Sequence, residues 1–368
     1  MHDARRRGPL AGLRVIEVAS IGPGPFCAMM LADLGAEVIK VRRPAGQPFD
    51  ANPVLDRGRP ALALDLKSPR GAASLMKLVE KADGLIEGFR PGVMERLRLG
   101  PAECHAVNSR LVYGRMTGWG QEGPLAAAAG HDINYLALSG MLWPLGHADR
   151  PPRAPLNLVA DFGGGGMLLA LGMVAAMLEA GRSGEGQVVD AAMIDGAATL
   201  GGMIFGMLGT GGWRLERERN MLDGAAPFYD CYETADGKWV SIGSLEPQFY
   251  SLLIQHLDLD RELFAKQWDE ARWPAMRAAI AGRFREASRD EWCARLEGID
   301  LCFAPVLDPI EATRHPHALA RGAFTEEGGI VQPTPAPRFS RSKTKRNGEE
   351  PSAAELLAAW GLEPAEFG

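Results

Sequence analysis

Cysteine is scarce in this sequence, and its placement excludes two kinds of small, cross-linked structure. The 368 residues include five cysteines, an odd number at wide spacing without a C-x-x-C pair: Cys27, Cys104, Cys231, Cys293 and Cys302. We therefore expect neither a disulfide framework nor a zinc module, and a reducing compartment fits this usage. The first ten residues carry charge but no apolar segment, so we expect no secretory signal and a cytoplasmic protein.

An excess of one charge and a long apolar run are also missing. The chain has 40 basic and 46 acidic residues, a net charge of −6, which provides no overall field for nucleic acid or an anionic membrane. The apolar stretch 163–178 has only 16 residues, and the stretch 196–213 has seven glycines among its 18 residues. Neither favours crossing a bilayer, so we expect no membrane span.

Glycine, by contrast, is abundant. A chain of this size buries a large core, so we expect its 45 glycines at turns, helix crossings and sites. The first glycine-rich turn, Gly22-Pro-Gly24-Pro-Phe-Cys27, lacks the third glycine of the G-x-G-x-x-G fingerprint. No G-x-x-x-x-G-K-S/T motif occurs either. The sequence therefore disfavours a nicotinamide site and a P-loop.

Strand and helix patterns alternate over the first 120 residues. Strands are predicted at 13–20, 37–43, 61–66, 84–89 and 111–116, and helices at 26–35, 69–82 and 91–99. Apolar strands separated by helical segments are typical of βαβ units on a parallel sheet. We predict an α/β fold with a doubly wound parallel sheet, Rossmann-like but without the dinucleotide fingerprint.

The later segments indicate a second, smaller α+β domain. Helices are predicted at 163–180 and 189–212, followed by a hairpin at 227–244 whose turn is Ala235-Asp236-Gly237. A proline-rich, basic stretch at 332–351 precedes a final helix at 352–361. The predicted domains are a large α/β domain at 1–190, a linking helix at 191–225, a small domain at 226–320 and a return segment to the large domain at 321–368.

Positive charges follow successive predicted strands. Arg42 and Arg43 follow one strand, Lys67 follows the next, and Arg90 follows the third, with Arg96 in the helix after it. The carboxyl ends of the strands in an open α/β sheet face one crevice, where ligands bind. We predict that these cations bind a polyanionic, phosphorylated carrier; ordinary surface charges are the alternative.

Three further side chains are candidates for acid/base chemistry, each with a structural alternative. His131 lies in an irregular region, where a lone histidine is often structural. Asp161 precedes Gly163–Gly166 and an apolar helix, so it either caps that helix or lies beside backbone N–H groups that a ligand can approach. Glu246 begins a predicted helix, and no spacing ties it to His131. The remaining histidine motifs lack companions at ligand spacing, so we expect no metal site.

Several segments in a fixed order carry a resemblance to a known family. They include GLRVIEVASIGPGPFCAMMLADLGAEVIKVRRP (12–44), GLIEGFRPGVMERLRLGP (84–101), GHDINYLALSG (130–140), NLVADFGGGG (157–166) and EPQFY (246–250). The chain resembles the α-methylacyl-CoA racemase branch of the family III CoA-transferase superfamily from about residue 12 to 340. The resemblance implies interconversion of (2R)- and (2S)-2-methylacyl-CoA thioesters by an interlinked homodimer. It implies no metal and no cofactor, since CoA is part of the substrate.

The resemblance also implies roles for individual residues. His131 and Asp161 would be the two acid/base residues, and Glu246 would partner the histidine. Contacts with CoA or the acyl thioester are implied at Arg43, Leu64, Asp65, Leu66, Lys67, Gly88, Phe89, Arg90, Arg96, Gly130, Asp132, Ile133, Asn134 and Tyr135. Phe89 departs from the tyrosine that we expect in close relatives, which puts a hydroxyl contact there in doubt.

Racemisation needs an acid/base group on each face of the α-carbon. We expect His131 to remove the proton while a protonated Asp161 returns one from the other side, with the roles reversed for the other enantiomer. Backbone amides near Asp161 and the glycine run are candidates for stabilising the enolate oxygen. The main alternative is a CoA-transferase, in which Asp161 is the nucleophile and forms an acyl-aspartyl anhydride. A non-catalytic acyl-CoA-binding protein is the third hypothesis.

Overall fold

A computed structural model describes residues 8–44, 52–344 and 350–367 of the chain. Contacts between residues divide it into two units. The first unit contains the residues up to Leu142, Ala154–Met203 and the residues from Pro335 onward; the second contains Trp143–Arg153 and Ile204–Thr334. Each unit is therefore built from separate stretches of sequence, and the domain boundaries predicted at 190, 225 and 320 stay a prediction.

The elements up to residue 209 belong mainly to the first unit. In chain order they are β1 (Arg14–Val18), α1 (Pro23–Asp33), β2 (Glu37–Arg42), β3 (Ala61–Ala63), α2 (Pro69–Val79), β4 (Gly84–Glu87), α3 (Val93–Arg96), α4 (Pro101–Val107), β5 (Val112–Thr117), α5 (Asp132–Leu138), a π-helical segment (Leu158–Met167) continuing as α6 (Leu168–Ser183), β6 (Val188–Ala192), α7 (Met193–Leu200) and α8 (Gly202–Gly209).

Six of these strands form one parallel sheet in the order β3-β2-β1-β4-β5-β6. This is the strand order of a doubly wound Rossmann-type sheet, so the predicted fold class is confirmed. Strands buried on both faces read as continuous apolar runs, and β1 and β4 are buried along nearly their whole length. The order reverses between β1 and β4, where such sheets bind ligands.

The segment Val188–Ala192 corrects one prediction. We expected a single helix over 189–212, but this segment is a strand that pairs with Tyr113–Thr117, followed by α7 and α8. Two adjacent valines favour a strand. Two of its five residues are exposed, so its sequence lacks the continuous apolar run that is typical of a buried strand. Pairing with β5 supplies the backbone hydrogen bonds that decide its conformation.

The helix that carries Asp161 is longer than predicted. The π-helical segment and α6 form one continuous helix of 26 residues, Leu158–Ser183, which is long and apolar enough to cross a membrane by length and composition. Core helices of soluble proteins pass the same test. This helix packs on β5, where a Cβ at Gly114 would lie 2.6 Å from the Met173 Sδ atom. It is weak evidence for a span, and the absence of a span stays a prediction.

The second unit contains the remaining strands and most of the later helices. In chain order these are β7 (Tyr229–Glu233), β8 (Trp239–Gly243), α9 (Pro247–His256), α10 (Trp273–Phe284), α11 (Arg289–Leu296), β9 (Phe303–Val306), α12 (Pro309–Arg314), α13 (Pro316–Arg321), β10 (Phe324–Glu327) and β11 (Ile330–Pro333). The predicted hairpin is confirmed, since β7 pairs antiparallel with β8. β9 extends this sheet to three antiparallel strands.

The chain ends in the first unit. The helix α14 (Ala353–Ala359) buries Leu356 and Leu357 in the same core cluster as the strands of the parallel sheet. Trp360 follows it, and its indole N–H donates to the Glu37 carboxylate at 2.6 Å. Since α6 packs on β5 and α14 packs against β2, helices cover this sheet as in other doubly wound folds.

Candidate active site

A cavity of about 1200 Å³ opens at the carboxyl ends of the first four strands. The predicted residues that line it are Arg42, Arg43, Leu64, Asp65, Leu66, Lys67, Phe89, Arg90 and Arg96. They come from the ends of β2, β3 and β4 and from α3, and Val18–Ile21 add the end of β1. The expectation that successive strand ends place these cations together is therefore correct for this part of the chain, as the geometry of parallel sheets requires.

The cavity contains cations of two kinds. Lys40 is paired with Asp56 at 2.8 Å, and Arg59 is paired with both Asp56 and Glu17. Within the described residues, no carboxylate lies within ion-pair distance of Arg43, Lys67, Arg90 or Arg96. Unpaired cations around a concave site focus a positive potential that attracts anionic ligands, so this cavity suits a phosphorylated molecule.

A buried ion pair that was not predicted from the sequence lies beneath this cavity. The Arg59 guanidinium hydrogen-bonds to the Glu17 carboxylate, and both side chains are fully buried. Glu17 lies inside β1 and Lys40 inside β2, each with apolar residues on both sides of it in the sequence. A lone charge inside an apolar strand is the signal that could have identified them, because a buried charge is nearly always paired.

A second buried carboxylate orders the loop that carries Phe89 and Arg90. Glu87 ends β4, accepts the Phe89 N–H at 2.7 Å and pairs with Arg115 at 3.2 Å. Burial raises the pKa of Glu87 to about 7, against the opposing effects of the Phe89 N–H and Arg115. Gly88 does not line the cavity; a Cβ there would lie 2.7 Å from the Ser20 hydroxyl, so its role is close packing against the end of β1.

The N-terminus of α5 and the π-helical segment bring His131 and Asp161 into one neighbourhood. His131 is exposed and directly precedes α5, where the Asn134 side chain accepts its backbone N–H at 3.0 Å. The next residue, Asp132, is buried, and its Oδ1 accepts the backbone N–H of Asp161 at 2.7 Å. A hydrogen bond between residues 29 apart in sequence thus joins the elements that carry the two predicted acid/base groups.

The carboxyl group of Asp161 binds its proton more tightly than an exposed aspartate does. Burial raises its pKa, and the neighbouring Asp132 raises it further. A hydrogen bond from the Asn157 amide at 3.4 Å and the charge of His131 act in the opposite direction. Burial and a like charge both disfavour the ionised form, and the net effect is a raised pKa, as proton donation by Asp161 requires.

Two features connect this pair to the cation-lined cavity. Gly22 lies in the turn between β1 and α1 with φ of +70°, and a Cβ there would lie 3.4 Å from the Asp161 Oδ2 atom. Its neighbour Ile21 lines the cavity. Tyr135 is the second connection: burial and Asp161 raise the pKa of its hydroxyl, whereas Arg90 lowers it. Asp161 therefore lies just beyond one wall of the cavity.

The loop Gly130–Tyr135 contributes mainly backbone and buried side chains. The Tyr135 hydroxyl donates to the Gly130 carbonyl, and its ring packs edge-on against Trp119. A Cβ at Gly130 would lie 2.6 Å from the Tyr135 ring, so the close packing requires glycine. Ile133 and Asn134 are exposed. Of this predicted set, only His131, Ile133 and Asn134 present exposed side chains. Contact of this loop with a ligand stays a prediction that follows from the resemblance.

The glycine run after Asp161 serves helix packing. We expected Gly163–Gly166 to let a ligand approach the backbone, but Gly164, Gly165 and Gly166 are buried. A Cβ at Gly164 would lie 2.6 Å from the Ala197 nitrogen on α7, and one at Gly166 would lie 2.8 Å from the Pro23 oxygen on α1. Protein atoms therefore occupy the space into which a side chain at Gly164 or Gly166 would extend.

Gly196 of α7 lies very close to Gly164 in the π-helical segment. A larger residue at position 196 should therefore displace the helix that carries Asp161. A Cβ at position 196 would lie 1.8 Å from the Gly164 carbonyl oxygen. We expect Gly196→Ala to destabilise the protein by about 1–3 kcal/mol, as over-packing does, and to lower activity. Urea denaturation checks the first effect.

Gly181→Ala provides the matched control for this change. Gly181 also lies in a helix, and nothing lies within 4 Å of its Cβ position. Alanine is favoured over glycine by roughly 0.5–1 kcal/mol at such a position, so this variant should be as stable as the wild type or slightly more stable. Equal stability of the two variants would contradict the close approach of α7 to the π-helical segment.

Glu246 lies in the second unit. It is exposed and directly precedes α9, where its carbonyl oxygen accepts the Tyr250 N–H at 2.9 Å. This is the helix-start position that the sequence predicted. Its pairing with His131 stays a prediction that follows from the resemblance.

Known proteins are similar to this chain over most of its length. The family described as CoA-transferase family III matches residues 10–355. Alpha-methylacyl-CoA racemase of Homo sapiens is 47% identical over 329 residues, which cover 89% of this chain and 86% of the human protein. The Mus musculus protein of the same name is 45% identical over 366 residues, covering 97% and 95%. A solved structure of a CaiB/BaiF family protein from Brucella suis matches with a TM-score of 0.82 and 27% identity, covering 99% of this chain and all of that one.

Proposed function

Because the chain belongs to CoA-transferase family III, we propose that it racemises 2-methylacyl-CoA thioesters, the reaction named in its human and mouse relatives. The observation that carries this proposal is the pairing of two different acid/base groups, since Asp132 joins the Asp161 backbone to the helix start that carries His131. A CoA-transferase that uses an aspartyl nucleophile needs no histidine base. The racemase needs both groups, one for each face of the α-carbon.

The mechanism follows from the different environments of the two groups. His131 is exposed and removes the α-proton of one enantiomer, which leaves an enolate of the thioester. Protonated Asp161, a form that burial and Asp132 favour by raising its pKa, delivers a proton to the opposite face. For the other enantiomer, ionised Asp161 is the base and protonated His131 is the acid. Glu246 would orient the imidazole and stabilise its charged form.

CoA binding belongs to the same proposal. The phosphates of the carrier would contact Arg43, Lys67, Arg90 and Arg96, which line the cavity at the strand ends. The thioester would extend past Ile21 and Gly22 toward Asp161. The N–H group of Asp132, in the first turn of α5 beside His131, is a donor available to the enolate oxygen, because such N–H groups have no partner within the helix.

We also propose that the protein acts as a homodimer in the cytoplasm, in fatty acid metabolism and without a cofactor beyond the CoA of its substrate. Exposed apolar side chains on three helices that include part of the first unit support the dimer: Leu171 and Leu178 on α6, Leu200 on α7 and Met203 on α8. Large apolar side chains that gather on one surface are typical of a contact with another chain.

Incubation of the enzyme with one enantiomer of a 2-methylacyl-CoA in D₂O, without an acceptor acid, tests the reaction. We expect deuterium at the α-carbon and conversion toward a mixture of both enantiomers, because each turnover passes the proton through a solvent-exchanging group. Mass spectrometry and chiral separation of the hydrolysed acid measure both results. Failure to exchange, together with rapid transfer of CoA to an added carboxylate, would establish the transferase instead.

A further inference from the structure

Asp132 occupies an unusual position for a residue next to an exposed base. It is 7% exposed, although it begins a short surface helix and follows an exposed histidine. Its Oδ1 accepts the Asp161 N–H at 2.7 Å. Its Oδ2 is buried and has no hydrogen-bond partner in the described part of the chain. A buried carboxylate oxygen without a partner is costly, so stability alone does not explain this residue.

The hydrogen bond from the Asp161 N–H to Asp132 connects the two elements that carry the acid/base groups. Asp161 lies in the π-helical segment, and His131 lies directly before α5. π-helical turns are rare and are frequent at functional sites. Since Asp132 is covalently next to His131 and holds the backbone of Asp161, any movement of the π-helical segment relative to α5 must stretch or break this bond.

We propose that Asp132 is a positioning residue that holds Asp161 at a set separation from His131, so that the two groups can address opposite faces of one carbon. The proposal rests on the proposed racemase function. It also assigns Asp132 a role different from the ligand contact that the resemblance implied, because its side chain is turned toward protein backbone.

The charge of Asp132 has a second effect on the same partner. Asp132 is one of the groups that raise the pKa of the Asp161 carboxyl, after burial itself. The other titratable, charged or amide side chains that act on Asp161 or on its neighbour Tyr135 are His131, Asn157 and Arg90. None of these others raises the pKa of Asp161, so Asp132 is the side chain whose removal should lower it.

Three substitutions separate position from charge. Asp132→Asn keeps an oxygen that accepts the Asp161 N–H but removes the charge; Asp132→Glu keeps the charge but displaces the oxygen; Asp132→Ala removes both. We expect Asp132→Ala and Asp132→Glu to lower kcat on the order of 10²-fold with little change in KM. An effect of this size is typical when a reacting group is slightly misplaced. Asn should retain more of kcat and shift the Asp161-dependent limb of the pH–rate profile to lower pH.

The matched control is Glu103→Gln. Glu103 also lies in the first turn of a seven-residue helix of the first unit, α4, so a general effect of acidic residues on helix starts would appear in both. We expect this variant to keep the wild-type kcat and pH profile. Equal effects at 103 and 132, or a wild-type kcat in Asp132→Ala, would overturn the proposal.

An infrared titration of the Asp161 carboxyl separates this proposal from the function on which it rests. The difference between each protein and its Asp161→Asn counterpart isolates the carboxyl band and needs no turnover. We expect a lower titration midpoint with Asp132→Asn than with wild type. An unchanged midpoint would overturn the effect of Asp132 even if racemisation is confirmed. A wild type that fails to exchange its substrate in D₂O would instead contradict the racemase.

Discussion

Replacing Asp161 with asparagine should separate proton exchange from inversion at the α-carbon. Racemisation should fall by about 10²–10⁴-fold, the usual contribution of a positioned acid/base group. Deuterium should still enter from D₂O into the enantiomer whose proton faces His131, because the imidazole can remove a proton and return a deuteron to the same face. Asparagine preserves the backbone hydrogen bond to Asp132, which involves the main-chain N–H.

His131→Ala should show the opposite selectivity. Only the other enantiomer, whose α-proton faces Asp161, should then exchange, and inversion should again be lost. Chiral separation followed by mass spectrometry gives both quantities for each starting enantiomer. If either variant exchanges both enantiomers equally, or if Asp161→Asn still racemises at the wild-type rate, one group serves both faces and the two-base mechanism is wrong.

Asp190→Asn is the matched control for the Asp161 variant. Asp190 lies on β6 of the same unit, and burial also raises its pKa. Its carboxylate accepts the Gln121 N–H at 3.2 Å, and the charges that shift its pKa are those of Arg115, Asp195 and Glu122. Removal of this carboxylate should leave exchange and inversion coupled, which distinguishes the chemistry of Asp161 from a general effect of losing a carboxylate whose pKa is raised.

The largest expected effect on stability comes from the buried ion pair beneath the cation-lined cavity. Glu17→Gln leaves the Arg59 cation in a site where both side chains are fully buried. We expect the free energy of unfolding to fall by about 3–5 kcal/mol, because Arg59 loses its fully buried partner and keeps only Asp56, whose side chain is 29% exposed. Denaturation with urea, monitored by circular dichroism, measures this change.

Two further variants set the scale for that result. Lys77→Gln removes one partner of the exposed Lys77–Glu366 pair, whose side chains are 45% and 48% exposed, so it should cost about 0–1 kcal/mol. The double replacement Glu17→Leu with Arg59→Met should recover much of the lost stability, since apolar replacement of a buried pair is often neutral. A loss below 1 kcal/mol in Glu17→Gln would mean that Asp56, which also contacts Arg59, suffices to compensate the cation.

The cation-lined cavity was accessible from the sequence because it depends on a general rule of parallel sheets. Basic residues after successive strands must lie near one another once the strands run in the same direction. That rule predicted the location of Arg43, Lys67 and Arg90 from their order alone, and the cavity contains all three. His131 and Asp161, by contrast, came from a resemblance, since nothing in their spacing connects them.

The roles of Asp132 and of the glycine run could not be predicted in this way. The Asp132–Asp161 hydrogen bond joins residues 29 apart, and the Gly164–Gly196 approach joins residues 32 positions apart on two helices. From the sequence alone, Asp132 is a carboxylate at a helix start, which is explained by helix capping. Gly164 and Gly196 are small residues in apolar helices, which are explained by helix packing in general. Their actual partners depend on which elements pack together.

The sequence by itself determined the doubly wound sheet, because apolar strands and amphipathic helices alternate with periods that have few other solutions. It also determined where the cations gather. Only the tertiary structure decided that Val188–Ala192 is a strand, that Glu17 and Arg59 pair in the core, and that Asp132 holds Asp161 beside His131. The physical reason is the same in each case: a hydrogen bond or ion pair between distant segments decides the result, and neither segment alone shows which partner it will have.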